Sequence, residues 1–247
     1  MIFKLFKKKP VLPPVDISVL QTDLHSHLIP GIDDGAQTLD DAVELVRLMK
    51  DLGYRKLIVT PHIQADFYKN TPEIILKGLD NLKAAVKNAG IDILIEAAAE
   101  YLIDDGFEEK MNKGELMCFG PDKYLLVELS YYNMNSRFFE YVFDLNVAGY
   151  KIILAHPERY AYFHDNFKIY EDLKVRSIEL QINIISLSGY YSEQVKKIAE
   201  KLIDLDFVDY AASDMHNFNY YENFVKSLSS PYMHKLIEKG HLKNPIL

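Results

Sequence analysis

The sequence contains a single cysteine, Cys118, among 247 residues. One thiol cannot form an intramolecular disulfide, so the chain reads as a product of a reducing compartment rather than a stapled secreted domain. No apolar run approaches the ~20 residues needed to span a bilayer. Glycine and proline are also few, at 11 and 10, which excludes collagenous and low-complexity classes. Basic charge is scarce as well: 28 Lys and Arg stand against 36 Asp and Glu, for a net charge of −8. Setting aside the four lysines of the first ten residues leaves 24 against 36, or −12. Such a body repels nucleic acid, and the lack of a basic track argues against a nuclease-like phosphodiesterase. At 49% hydrophobic and 26% charged, the remainder is an ordinary globular chain.

The opening segment Met1 to Pro10 lacks the unbroken apolar core and small-residue cleavage site of a secretory signal, because Lys4 interrupts its only apolar stretch. A cytoplasmic location is therefore expected. Lys4, Lys7, Lys8 and Lys9, beside Phe3, Leu5 and Phe6, could bind an anionic membrane surface weakly, each contributing roughly 1 kcal/mol near the headgroups. The plainer alternative is a frayed basic tail over residues 1–18, with Pro10, Pro13 and Pro14 preventing a longer amphipathic helix.

From residue 19 onward, short β-branched or apolar runs alternate with stretches of helical period, the pattern of successive βα units around a parallel sheet. Seven strands are expected, at 19–24, 56–60, 91–97, 124–129, 151–155, 177–182 and 207–212. A first helix should start at Thr38, with Asp40 and Asp41 at its positive end, an apolar stripe of Leu39, Val43, Val46 and Met49, and Gly53 past its end. A second should open at Thr71, Pro72 and Glu73 and close at Gly90. No linker or repeat divides the chain, so residues 19–247 are expected to form one closed or nearly closed α/β barrel.

In a barrel, residues just past each strand share the C-terminal rim, where such enzymes place their chemistry. Here that rim collects His25 and His27, Asp33 and Asp34, His62, Glu100, Glu128, His156 with Arg159, Gln181 and Asn183, and Asp214 with His216. Alternation on an extended strand sends both imidazoles of His25-Ser26-His27 to one face, and Asp214-Met215-His216 repeats the pattern at the last strand. Imidazole and carboxylate together suit Zn²⁺, Mn²⁺ or Fe ions, whereas the absence of thiolates argues against a Cys-type zinc or iron–sulfur site. So many carboxylates without cations would incur large like-charge and desolvation penalties. The ligand set is large enough for two or three ions.

The motifs Asp23-Leu24-His25-Ser26-His27 through Asp33-Asp34-Gly35, Thr60-Pro61-His62, Ala99-Glu100-Tyr101, Leu126-Val127-Glu128-Leu129, His156-Pro157-Glu158-Arg159-Tyr160 and Ser213-Asp214-Met215-His216-Asn217 resemble the polymerase and histidinol phosphatase (PHP) superfamily. Within it the chain is similar to the capsule-associated CpsB/YwqE-type protein-tyrosine phosphatases. The resemblance implies a distorted seven-stranded (β/α)7 TIM-like barrel with a site for two to three metals, manganese foremost and iron or zinc as alternatives. It further implies that His25, His27, Glu100 and Asp214 surround one ion, that Glu100 bridges to a second held by Glu128 and His156, and that Asp34, His62 and His216 hold a third. Arg159, Asp34 and His62 would act in catalysis, and Arg159 and Asn183 would contact substrate. The implied substrate is phosphotyrosine on a protein, a bacterial tyrosine kinase in capsule or exopolysaccharide production; the lysine-rich start adds the expectation of a cytoplasmic enzyme peripheral to the inner membrane. Relatives of this type carry a second arginine shortly after Ser-Asp-x-His-Asn, but residues 218–223 read Phe-Asn-Tyr-Tyr-Glu-Asn. Histidinol-phosphate hydrolysis, or phosphotyrosine binding without turnover, are the alternative readings.

Several residues stay open at this level. Arg159 is either a phosphate ligand, through its planar fork, or a salt-bridge partner of Glu158 or another carboxylate. Tyr131, Tyr132, Phe138 and Phe139 either wall a phosphotyrosine ring or pack in the core. Gln181 and Asn183 hold water or substrate, or cap a loop; Tyr190 and Tyr191 are equally ambiguous. Cys118, in Leu116-Met117-Cys118-Phe119-Gly120-Pro121, lacks the arginine-terminated anion loop of a cysteine phosphatase and reads as packing.

Overall fold

The computed structural model describes residues 12–247. Lys4, Lys7, Lys8 and Lys9, and the membrane-surface contact read from them, lie outside those residues. No helix among the described residues is long and apolar enough to cross a membrane. Of the segment expected as tail, residues 12–18 lie along the body: Ile17 is buried and the Val15 N–H donates to the Leu228 carbonyl at 3.0 Å.

The strands are β1 (Thr22–Asp23), β2 (Lys56–Val59), β3 (His62–Ile63), β4 (Leu94–Ala97), β5 (Glu100–Leu102), β6 (Tyr124–Glu128), β7 (Lys151–Ala155), β8 (Glu179–Asn183) and β9 (Tyr210–Ala212). All pair in parallel, in two ladders ordered β1-β2-β4 and β3-β5-β6-β7-β8-β9. The seven expected strands thus appear as nine segments, because the second and third are each interrupted. Pro61 has no N–H to donate, which breaks the ladder there. The register survives the gap: Val59 faces Ala97 before it and His62 faces Glu100 after it, with Glu100 N–H donating to the Pro61 carbonyl at 3.1 Å. At the other seam a parallel bridge joins Ser26 to Met215, flanked by hydrogen bonds from Asp214 N–H to His25 O and from His27 N–H to Met215 O. First and last strands therefore meet at the rim, completing a distorted TIM-like barrel.

Alternate residues of the central strands enter different apolar layers. Tyr124, Leu126, Ile153, Ala155, Tyr210 and Ala212 pack inside, while Leu125, Val127, Ile152, Leu154 and Ala211 pack under the helices. Burial on both faces explains why these strands read as continuous apolar runs.

The helices are α1 (Leu39–Asp51), α2 (Pro72–Asn88), α3 (Phe107–Lys113), α4 (Phe138–Val147), α5 (Ala161–His164), α6 (Lys168–Val175), α7 (Glu193–Asp204), α8 (Phe218–Ser227) and α9 (Pro231–Lys239). Both N-caps read from the sequence hold, with Thr38 accepting from Asp41 N–H and Thr71 from Ile74 N–H. Two expectations need correction. The buried face of α1 is Ala42, Leu45, Val46 and Met49, while Leu39 is exposed; the small Ala42 starts the true i, i+3, i+4, i+7 series. The first strand is also shorter than expected, because Ser18–Leu20 form a 3₁₀ turn that leaves Val19 exposed.

Candidate metal centre

The rim of the barrel draws its polar side chains from six strand ends. His25 and His27 follow β1, His62 opens β3, Glu100 opens β5, Glu128 closes β6, His156 follows β7, and Asp214 and His216 follow β9. In four overlapping groups, one ligand atom per residue lies within 4.8 Å of the others: His27, Asp34, His62 and His216; His25, His27 and Glu100; His25, His156 and Asp214; His62, Glu100 and Glu128. All nine side chains expected to hold metal are gathered there. The groups overlap across the partition implied by resemblance: Glu100 lies 2.9 Å from His156 Nε2 and shares a group with Glu128, while His156 also groups with His25 and Asp214, and His62 with Glu100 and Glu128 as well as with Asp34 and His216.

Outer contacts fix the imidazoles with their lone pairs facing inward. His25 Nδ1 lies 2.8 Å from Gln181 Oε1, His27 Nδ1 lies 2.8 Å from Asp33 Oδ2, and His216 Nδ1 lies 2.7 Å from the Asp214 carbonyl. Each of those oxygens accepts, so each Nδ1 carries a proton and each Nε2 points into the cluster. The His25 and His27 Nε2 atoms are 3.2 Å apart, 3.3 and 3.5 Å from Glu100 Oε2, and 3.2 and 3.4 Å from Asp214 Oδ1. His62 Nδ1 is 3.0 Å from both Glu100 Oε2 and Glu128 Oε1. Glu100 Oε2, His62 Nδ1 and His156 Nδ1 are buried without a hydrogen-bond partner. Converging ligand atoms whose imidazoles are oriented by hydrogen-bond acceptors behind them are what a divalent cation requires, so the residues fit the metals their types suggested.

The charges of the cluster act strongly on one another. Burial opposes ionisation of Glu100, yet the charges of His25 and His62 and a hydrogen bond from His156 at 2.9 Å hold it well below the usual carboxylate range. Burial alone would lower His62, but Glu100 lifts it to about 10. Asp34, the most exposed member, is pushed up by partial burial and pulled back further by His216 and His62, to about 2. Two of these residues also sit in the left-handed region, His156 at φ 36° and Asp214 at φ 51°, a strained conformation for non-glycine residues. Gly35 permits the tight approach of the Asp33-Asp34 loop, because a Cβ there would lie 2.0 Å from the His27 carbonyl oxygen.

At the outer edge, Arg159 Nη1 reaches Asp214 Oδ2 at 3.3 Å, which decides against Glu158 as its partner. Glu158 is buried instead against Ser186 Oγ and the Asn183 N–H. Asn183, expected to contact substrate, is fully buried. Its amide donates to Asp214 Oδ2 at 2.7 Å and Tyr191 OH at 3.2 Å and accepts from Gln181, so it orients Asp214 instead. Of the aromatic residues after Glu128, only Tyr131 lines the site, stacked on His156; Phe138 is core and Tyr132 points to solvent. Cys118 is half-buried with its thiol pushed up by burial, in keeping with a packing role. The orienting roles of Asp33 and Gln181 were not legible beforehand, although Asp33 stands in a motif that supplies a ligand and Gln181 on the same rim.

The family model described as capsular polysaccharide synthesis, CpsB/CapC, matches residues 21–239. The chain belongs to this family. It is 29% identical over 195 residues to tyrosine-protein phosphatase YwqE of Bacillus subtilis, covering 79% of this chain and 77% of that protein. It is 25% identical over 232 residues to tyrosine-protein phosphatase CpsB of Streptococcus pneumoniae, covering 90% and 96%. A crystal structure from work on those two proteins, described as unique metal-dependent tyrosine phosphatases, superposes with a TM-score of 0.78 at 27% identity over 90% of this chain and 94% of that one. The fold is shared more distantly with histidinol phosphate phosphatase of Lactococcus lactis, at a TM-score of 0.53 and 16% identity.

Proposed function

We propose that this CpsB/CapC family member is a metal-dependent protein-tyrosine phosphatase. The observation that carries the reading is the convergence of histidine nitrogens on Glu100 Oε2, which has no hydrogen-bond partner, beside an arginine whose side chain makes one hydrogen bond. His25, His27, Asp34, His62, Glu100, Glu128, His156, Asp214 and His216 would hold two to three divalent ions, manganese foremost. Bound there, such ions supply Lewis acidity, lowering the pKa of water towards neutrality and offsetting phosphate charge.

The chain's own groups do the rest. Arg159 offers a planar fork to the phosphate oxygens. Asp34 stays ionised at the mouth of the site and orients water there, beside His62. Tyr131 supplies an aromatic wall for the substrate ring. Phosphotyrosine suits the site because its leaving phenol has a pKa of about 10, so departure requires little general-acid help. The natural substrate in this reading is a phosphotyrosine-bearing protein, a bacterial tyrosine kinase of capsule or exopolysaccharide production, and residues 19–247 act as one barrel domain in the cytoplasm.

The test is phosphate release from a phosphotyrosyl peptide and from histidinol phosphate, side by side, using metal-stripped protein with and without Mn²⁺. Manganese-dependent release favouring the peptide is expected. Preference for histidinol phosphate would move the enzyme to amino-acid metabolism, and no release from either would favour binding without turnover. Arg159→Ala should raise KM for the peptide by roughly tenfold or more, the scale of a lost charge-assisted hydrogen bond.

A further inference from the structure

The segment where a second arginine is expected carries aromatic residues instead. Tyr220 of α8 packs on His216 with ring centroids 4.7 Å apart and on Tyr190 at 5.2 Å, and Tyr190 meets Tyr191 at 5.2 Å. This cluster borders Arg159. The Arg159 guanidinium carbon lies 4.1 Å from the Tyr191 ring centroid and 4.8 Å from that of Tyr131, so tyrosines from two separate loops flank it. Among the described residues its side chain makes one hydrogen bond, at 3.3 Å to Asp214 Oδ2, longer than the usual 2.7–2.9 Å of a charge-assisted bond. The same carboxylate oxygen receives Asn183 Nδ2 at 2.7 Å and the Tyr191 hydroxyl at 3.3 Å. A guanidinium this sheltered normally satisfies several of its five N–H groups within the protein. Here two tyrosine rings lie within 4.8 Å of the guanidinium carbon, and most of its N–H groups are left without a partner.

We infer that Tyr191, with Tyr131, is a positioning residue that clamps Arg159 as the sole arginine of the phosphate subsite, in place of a second one. The inference rests on the phosphatase reading above. A guanidinium held between two cation–π contacts has little freedom to turn, so its N–H groups are preorganised for a tetrahedral oxyanion. The Tyr191 hydroxyl also ties the clamp to Asp214, whose Oδ1 faces His25 and His27.

The test uses Mn²⁺-loaded protein and inorganic phosphate as a competitive inhibitor of phosphotyrosyl-peptide hydrolysis. Tyr191→Leu should raise both the phosphate inhibition constant and KM by roughly five- to tenfold, the range of a partly desolvated cation–π contact. It should leave kcat within about threefold and manganese content unchanged. Tyr191→Phe, which keeps the ring, should recover phosphate affinity, and Tyr131→Leu should shift it in the same direction as Tyr191→Leu. Arg159→Ala separates the two levels. If it weakens phosphate while both leucine variants leave the inhibition constant unaltered, the clamp is wrong and the subsite stands. If Arg159→Ala itself has no effect on phosphate, the subsite and the clamp fall together. Loss of manganese from Tyr191→Leu would also overturn the clamp, by showing that the ring supports the carboxylate rather than the arginine.

Discussion

The two ends of the barrel bury polar side chains in opposite ways. At the N-terminal end of the strands, Asn244 is fully buried, yet its carbonyl accepts from Ala211 N–H at 3.1 Å and its amide donates to Thr22 O and Ala211 O at 3.0 and 2.8 Å. At the C-terminal rim, Glu100 Oε2, His62 Nδ1 and His156 Nδ1 are buried without partners, and the His25 and His27 Nε2 atoms face each other at 3.2 Å. A polar group that serves the fold alone must satisfy itself within the fold, or lose the desolvation energy of burial. A group that serves a cation keeps its lone pairs free and has its orientation set from behind, as Asp33 and Gln181 do for His27 and His25. The contrast separates Asn244 from the rim cluster, although Tyr54 OH, just before β2, is also buried without a partner.

Breaking the rim should have the largest effect. Glu100→Gln removes the carboxylate charge at the centre of the cluster with little change of shape, and roughly a 10³-fold loss of peptide turnover is expected, for several kcal/mol of transition-state stabilisation. Circular dichroism should show the fold intact. Turnover within tenfold of wild type would mean that the cluster is not the catalytic centre.

Breaking the opposite end should reverse that pattern. Asn244→Ala leaves three backbone groups unpaired and should lower stability by about 2 kcal/mol, enough to move the melting temperature by several degrees. Activity per folded molecule should be unchanged. A loss of specific activity with no loss of stability would undo the distinction between the ends.

The smallest expected effect sharpens the comparison at an exception. Glu158 Oε2 is also buried and unpartnered, but it lies behind the site, and burial, offset in part by bonds from Ser186 and Asn183, pushes this carboxyl from its ordinary 4.5 up to about 7. Protonation, rather than a cation, relieves it. Between those two values the folded state keeps a proton that the unfolded chain has released, so this group's contribution to stability declines as pH rises through the window. Urea denaturation at pH 5 and pH 8 should show wild type losing more stability across that interval than Glu158→Gln. Parallel losses would assign the slope to other groups.

Legibility in the sequence followed burial and motif density. Strands β6 and β7 announce themselves because both faces are packed, and the Thr38 and Thr71 caps because their hydroxyls meet the N–H groups expected of them. The interruption at Pro61 follows from proline chemistry, yet nothing local shows that the register resumes with His62 opposite Glu100. The nine rim residues are readable because alternation and strand ends place imidazoles and carboxylates on one face. Their grouping is not, since it depends on side-chain reach across the ring: His156 meets Glu100 and also lies beside His25 and Asp214. Asn183 shows the same limit. Alternation places it on the site side of β8, but only the packing of Tyr191 and Asp214 around its amide reveals that it orients a carboxylate.

The central claim is that the unsatisfied rim is a multinuclear cation site. Its most direct test is calorimetric titration of Mn²⁺ into chelator-stripped protein, with bound metal counted by elemental analysis. Two to three ions per chain, reduced in Glu100→Gln and unaltered in Asn244→Ala, is the predicted result. Failure of the stripped wild-type protein to take up any divalent ion would contradict it.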